Sequence, residues 1–180
     1  MYNDVMLGGG NSVGMFFKAI AGTALPSYPG ETLDSAWELV GDVSEDGATL
    51  HLPSGEVLRN WALDAKRKVN TENGNVQVNV MDTTTKVLET LFGASNTDVI
   101  AATSTHGNVT KVELSPDVSA PPAAYLFLLK DSDRLSMIGT SEGLITEIAD
   151  VSFKPTEAVL WAMTIEGTWT FATDDGQVTS

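Results

Sequence analysis

Asn75-Val76-Gln77-Val78-Asn79-Val80 decides the fold class. Three β-branched residues alternate with three amides, without a fault. A period of two puts Val76, Val78 and Val80 on one face of a strand and the amides on the other. A lone strand cannot bury that valine face, so the flanking chain must supply the rest of a sheet.

Upstream, Trp61–Val69 sets Trp61, Leu63, Ala65 and Val69 against Asp64, Lys66 and Lys68, with Arg67 breaking the apolar side. Before it, the apolar runs Trp37–Val43 and Ala48–Leu52 flank Glu45-Asp46-Gly47. Asp-Gly between two apolar runs predicts a hairpin. Downstream, Thr83–Phe92 places Val87, Leu88, Leu91 and Phe92 on one stripe, which predicts a helix. Asp82 or Thr83 is its expected N-cap and Gly93 its expected C′ residue. After a loop through Ser104, strands are expected at Val109–Leu114, Ala124–Lys130, Leu135–Gly139 and Leu144–Phe153. The last expected strand, Val159–Phe171, is the longest. At about 3.3 Å per residue it spans roughly 40 Å, more than twice a usual strand. It must cross a large sheet or run beyond its own domain.

Residues 1–33 read as an N-terminal arm, broken by Gly8, Gly9, Gly10, Gly14, Gly22, Pro26, Pro29 and Gly30. Met15, Phe16 and Phe17 in that arm need covering, and either a short helical turn on their own domain or docking on a neighbouring copy is the expected cover. Residues 34–172 then form the β domain and 173–180 a polar C-terminal tail. At 180 residues the chain is long enough for one well-buried core. It has no cysteine, which excludes disulfides and thiolate metal sites. Neither a signal peptide nor a membrane-length apolar run is read in it.

Acids outnumber bases 24 to 10, a net charge of −14. Such a chain is not expected to grip a phosphate backbone over a broad face, because that grip comes from Lys and Arg displacing counterions. The few bases are unevenly placed. Lys18 is alone among residues 1–58, then Arg59, Lys66, Arg67 and Lys68 fall within ten residues. That cluster is expected to meet an acidic surface on another copy.

Patterns that suggest chemistry do not survive their context. Gly10-Asn11-Ser12-Val13-Gly14 has nucleophile-elbow spacing, but too little chain precedes it to build the parallel sheet that such an elbow follows. Gly9–Gly14 has P-loop spacing but Met15 and Phe16 occupy the Lys and Ser/Thr positions. His51 and His106 have no spaced partner for a metal. Asp131-Ser132-Asp133 lacks the later Gly and Glu of a calcium loop. The Asn108-Val109-Thr110 sequon is expected to go unused. The four tryptophans are expected in the core rather than on a sugar-binding face. No catalytic residue, cofactor or metal is expected.

The ordered set Trp37-Glu38-Leu39-Val40-Gly41, Ser44-Glu45-Asp46-Gly47, Trp61, Arg67, the alternating Asn75–Met81 and Leu91-Phe92-Gly93 resembles the major tail tube proteins of long-tailed bacteriophages, particularly those of actinobacterial hosts. It covers about a third of the chain. The resemblance implies a mainly β fold, a β-sandwich or small barrel with one flanking helix over about 83–92 and an extended N-terminal arm. It also implies a structural role without catalysis, in rings of six copies stacked into a hollow tube. The implied partners are further copies of the chain and the tape-measure, tail terminator and tail-tip proteins, in a virion assembled in the host cytoplasm, with no membrane. Double-stranded DNA would pass through an acidic lumen without specific binding. The expected subunit interface is Met15, Phe16, Phe17, Arg59, Lys66, Arg67 and Lys68. The alternatives are another ring protein on a similar fold, such as a capsid decoration or contractile inner tube subunit, or a carbohydrate-binding β-sandwich.

Overall fold

The computed structural model describes residues 12–53, 55–60, 65–70, 73–115, 119–131, 134–154 and 156–174. Its elements are β1 (Ser12–Ile20), β2 (Glu38–His51), β3 (Gly55–Asn60), β4 (Ala65–Asn70), β5 (Gly74–Val80), α1 (Thr85–Phe92), a 3₁₀ turn (Ala94–Asn96), β6 (Thr97–Ile100), β7 (Val109–Val112), β8 (Ala123–Asp131), β9 (Arg134–Ile148), β10 (Trp161–Gly167) and β11 (Thr170–Asp174). The fold is mainly β. Seven strands run in the order β10-β5-β2-β1-β8-β9-β11, and β10 also pairs with β9, which closes six of them into a barrel. All these pairings are antiparallel.

The valine strand sits where its pattern predicts. Val76, Val78 and Val80 are buried in the barrel interior, with Phe16, Tyr125, Phe127, Ile138, Met163 and Ile165. Val87 and Leu91 of α1 join the same cluster, so the helix packs its apolar stripe onto the barrel core.

The arm is corrected for residues 12–20. They form β1, paired along its length with β8 on one side and with β2 on the other. Phe16 is fully buried and stacks on Phe127 at 4.7 Å between ring centroids. Met15 and Phe17 point to the outer face, into a second core with Leu126, Leu128, Met137 and Trp37. Leu25 and Leu33, from the segment after β1, close over it. A strand covered on both faces reads as a continuous apolar run, and so does an apolar arm. Residues 1–11 lie outside the described residues.

The expected hairpin at Asp46-Gly47 is also corrected. Trp37–Val43 and Ala48–Leu52 do not pair with each other. Residues 38–51 are one strand, and Ser44–Gly47 form a bulge in it. Val43 pairs with Val80 and Ala48 with Val78, so four residues stand against Asn79 alone. Gly47 adopts φ +72° there, a conformation that favours glycine. Both flanks lie on β5, and a bulge bends β2 where the barrel must turn.

Leu135–Gly139 and Leu144–Phe153 were expected as two strands, but one strand, β9, runs through most of both. It is irregular near Thr140, where Ala123 pairs with Gly143 but Tyr125 with Thr140. Conversely, Val159–Phe171 is two strands. β10 runs along Gly143–Ile148 and β11 along Leu135–Gly139, on the same edge of β9. The break at Thr168-Trp169 lets Trp169 pack against the interior and lie 6.1 Å from Phe127. β11 thus extends beyond the closed barrel. Thr173 and Asp174, assigned to the tail, belong to it.

The helix begins later than expected. Thr84 is the N-cap, its side chain accepting from the Val87 N–H at 3.3 Å, and Gly93 follows the last turn. Asp82 accepts instead from the Asp42 N–H at 3.0 Å, and Thr83 from the Trp161 indole at 3.1 Å.

Candidate assembly surfaces

The structure separates the seven expected interface residues into two groups. Met15, Phe16 and Phe17 are buried within their own subunit and offer no surface to another, which corrects that part of the expectation. Arg59, Lys66, Arg67 and Lys68 fall on the β3–β4 hairpin. Its ladder sets Arg59 opposite Lys66, Leu58 opposite Arg67 and Val57 opposite Lys68. The expected strand Trp61–Val69 is realised here as Ala65–Asn70; residues 61–64 lie outside the described residues.

This hairpin forms a sheet of its own, separate from the barrel ladder. An isolated two-stranded hairpin is marginal in water, and like charges directly opposite oppose its formation. Arg59 and Lys66 are such a pair by register, in a sheet of two strands. An acidic surface would turn the same charges into an attraction.

Such a surface lies beside the β2 bulge. A groove of about 540 Å³ is lined by Asp42, Ser44, Glu45, Asp46 and Glu157, with Met81 and Leu160. Asp42, Glu45 and Asp46 are exposed and have no salt bridge among the described residues. Glu157 pairs with Lys154 at 2.7 Å. Ser44 is only 6% exposed, and its hydroxyl has no hydrogen-bond partner among the described residues. No three acidic or histidine side chains among the described residues are gathered closely enough to hold a metal ion. The negative charge is spread along the groove, which suits several cationic side chains better than one ion.

A second groove of about 610 Å³ lies between the end of β1, α1 and Pro121-Pro122. Its charges sum to zero. Lys86 reaches Glu38 at 2.8 Å and Glu89 at 3.6 Å. The hydrogen bond from Lys86 holds the Glu38 carboxyl below its usual pKa, and the same bond raises that of Lys86. Burial lowers the pKa of Lys18, opposed by the negative charge of Glu89. With two cations and two carboxylates, this groove has no charge left to offer a partner.

Exposed apolar residues mark further candidate contacts. The β6–β7 hairpin, also a separate sheet, pairs Ile100 with Val109. These side chains are 48% and 41% exposed, and Phe153 is 73% exposed. β6 falls in a stretch expected as loop, since four residues ending in Val99-Ile100 carry no alternation. The acidic groove was also missed, because Glu157 joins it from far along the chain.

The residues singled out for chemistry are dispersed. Ser12 opens β1 opposite Asp131, in a strand rather than at a strand-to-helix turn. His51 is exposed and opposite Asn75. His106 sits in the β6–β7 loop with Nδ1 2.7 Å from the Gly107 carbonyl oxygen, and Asn108 accepts from the Ala102 N–H in the same loop. Trp37 and Trp161 are buried. Compared with known proteins, the chain matches no family model and no curated protein.

Proposed function

We propose that this chain is the structural subunit of a phage tail tube, assembling into stacked, six-membered rings around an acidic conduit for DNA. The observation that carries the proposal is the β3–β4 hairpin. It holds four of the ten cations of a chain at −14 and stands apart from a barrel that is already closed. A hairpin of this kind is suited to reach another copy. The exposed apolar residues Ile100 and Val109 of β6–β7 and Phe171 of β11 support the same reading, and so does the ordered resemblance from Trp37 to Gly93. The partners are further copies, with tape-measure, terminator and tail-tip proteins at the ends of the assembly. The role is mechanical and needs no catalytic step. Acids facing the lumen would repel DNA phosphates over about 8 Å at physiological ionic strength, so that the duplex slides along the wall without sticking.

Negative-stain microscopy over a concentration series tests the proposal. Rings and tubes with a central hole are the expected result. Rings that never stack would favour a decoration or other ring protein. A chain that stays monomeric at every concentration, by light scattering, would overturn self-assembly.

A further inference from the structure

We infer that the acidic groove beside the β2 bulge is the seat of the β3–β4 hairpin of a second copy, so that subunits join head to tail. The contact rests on the self-assembly proposed above and names its two surfaces.

The chain leaves β2 for the hairpin just after His51, which pairs with Asn75, and returns from it at Gly74. The groove lies at the other end of β5. Val43, in its lining, pairs with Val80, and the next residue, Met81, donates its N–H to the Asp42 carbonyl at 3.1 Å. The seven residues of β5, roughly 20 Å in length, therefore lie between the groove and the points where the hairpin leaves and rejoins the barrel. Two different patches make a heterologous contact, which propagates from copy to copy.

The two surfaces are also chemically complementary. Arg59, Lys66, Arg67 and Lys68 stand on one hairpin, and Asp42, Glu45, Asp46 and Glu157 line one groove. The first three acids have no salt bridge of their own among the described residues.

Charge reversal in matched pairs is the test. Lys66→Glu with Arg67→Glu and Lys68→Glu inverts the hairpin, and Asp42→Lys with Glu45→Lys and Asp46→Lys inverts the groove. Each protein alone is expected to need at least about tenfold more protein before sedimentable assemblies form. An equimolar mixture is expected to recover assembly, because every hairpin again meets a groove of opposite sign. Recovery also shows that both variants are folded. The chain has no cysteine, so a Lys68→Cys, Asp46→Cys protein gives a clean second readout. Mild oxidation is expected to produce a ladder of dimers and higher species. A cross-linked monomer would place the hairpin in its own groove and overturn the proposal. If the unaltered protein assembles and the mixture fails to recover, the groove is not the seat and self-assembly stands. If the unaltered protein never assembles, the self-assembly reading falls and the contact with it.

Discussion

The indole N–H of Trp161 donates to the Thr83 hydroxyl at 3.1 Å, joining residues 78 positions apart in the chain. Trp161 opens β10 and Thr83 immediately precedes the N-cap of α1. Phe92, at the other end of the helix, meets the same indole edge-on at 6.0 Å and 82°. One side chain thus ties both ends of the only α-helix among the described residues to the barrel. Trp161→Phe keeps an aromatic ring and loses the donor, and is expected to cost about 1 kcal/mol. A double-mutant cycle with Thr83→Ala, read by urea unfolding, checks it. Additive effects would show that the bond contributes nothing.

Phe16→Ala is expected to destabilise the monomer by about 3–5 kcal/mol, because it empties space between the rings of Phe127 and Tyr125. If Phe16 served only to contact another copy, monomer stability at low concentration would be unaffected. Chemical denaturation of dilute protein separates the two outcomes.

Gly139→Ala probes the outer core. A Cβ at Gly139 would meet Leu25 Cδ2 at 2.7 Å, too close for an ordinary contact. The expected cost is about 1–3 kcal/mol. Pairing it with Leu25→Ala should recover part of that loss, since the added methyl then has room. Equal and additive losses would mean that the segment after β1 is free to move away.

Tyr125 makes a prediction about alkaline pH. Burial raises its pKa from 10.0 to about 12, and its hydroxyl has no partner among the described residues. The unfolded chain therefore releases this proton at lower pH than the folded one. The contribution is fully present below pH 10 and is lost as pH rises toward 12, by roughly 2–3 kcal/mol. Tyr125→Phe is expected to be neutral or stabilising at pH 7 and to flatten the loss above pH 10. Thermal unfolding of both proteins from pH 8 to 12 reads the difference.

Much of the barrel can be read from local pattern, and the exceptions have physical causes. Val76, Val78 and Val80 alternate because β5 has one buried face. β1 and β8 have two, so Met15-Phe16-Phe17 and Tyr125-Leu126-Phe127 carry no alternation that marks their place. Asp46-Gly47 is a sound turn signal, but pairing of both its flanks with β5 outweighs it and leaves a bulge. Asp82, Thr83 and Thr84 are all able caps. Their long-range partners Asp42 and Trp161 take the first two and leave Thr84 for the helix. The basic hairpin was visible as a charge cluster. Its acidic counterpart required the fold, which brings Glu157 beside Asp42–Asp46.

The placement of the hairpin's attachment and the groove at opposite ends of β5 also has a mechanical consequence. A pull between successive copies would run along the axis of that strand. Its ladders with β2 and β10 would be loaded in shear, so their hydrogen bonds share the force and must fail together. A contact placed on the flank of the barrel would instead peel those ladders one rung at a time. The same strand whose valines organise the core would then act as the tension member of each subunit.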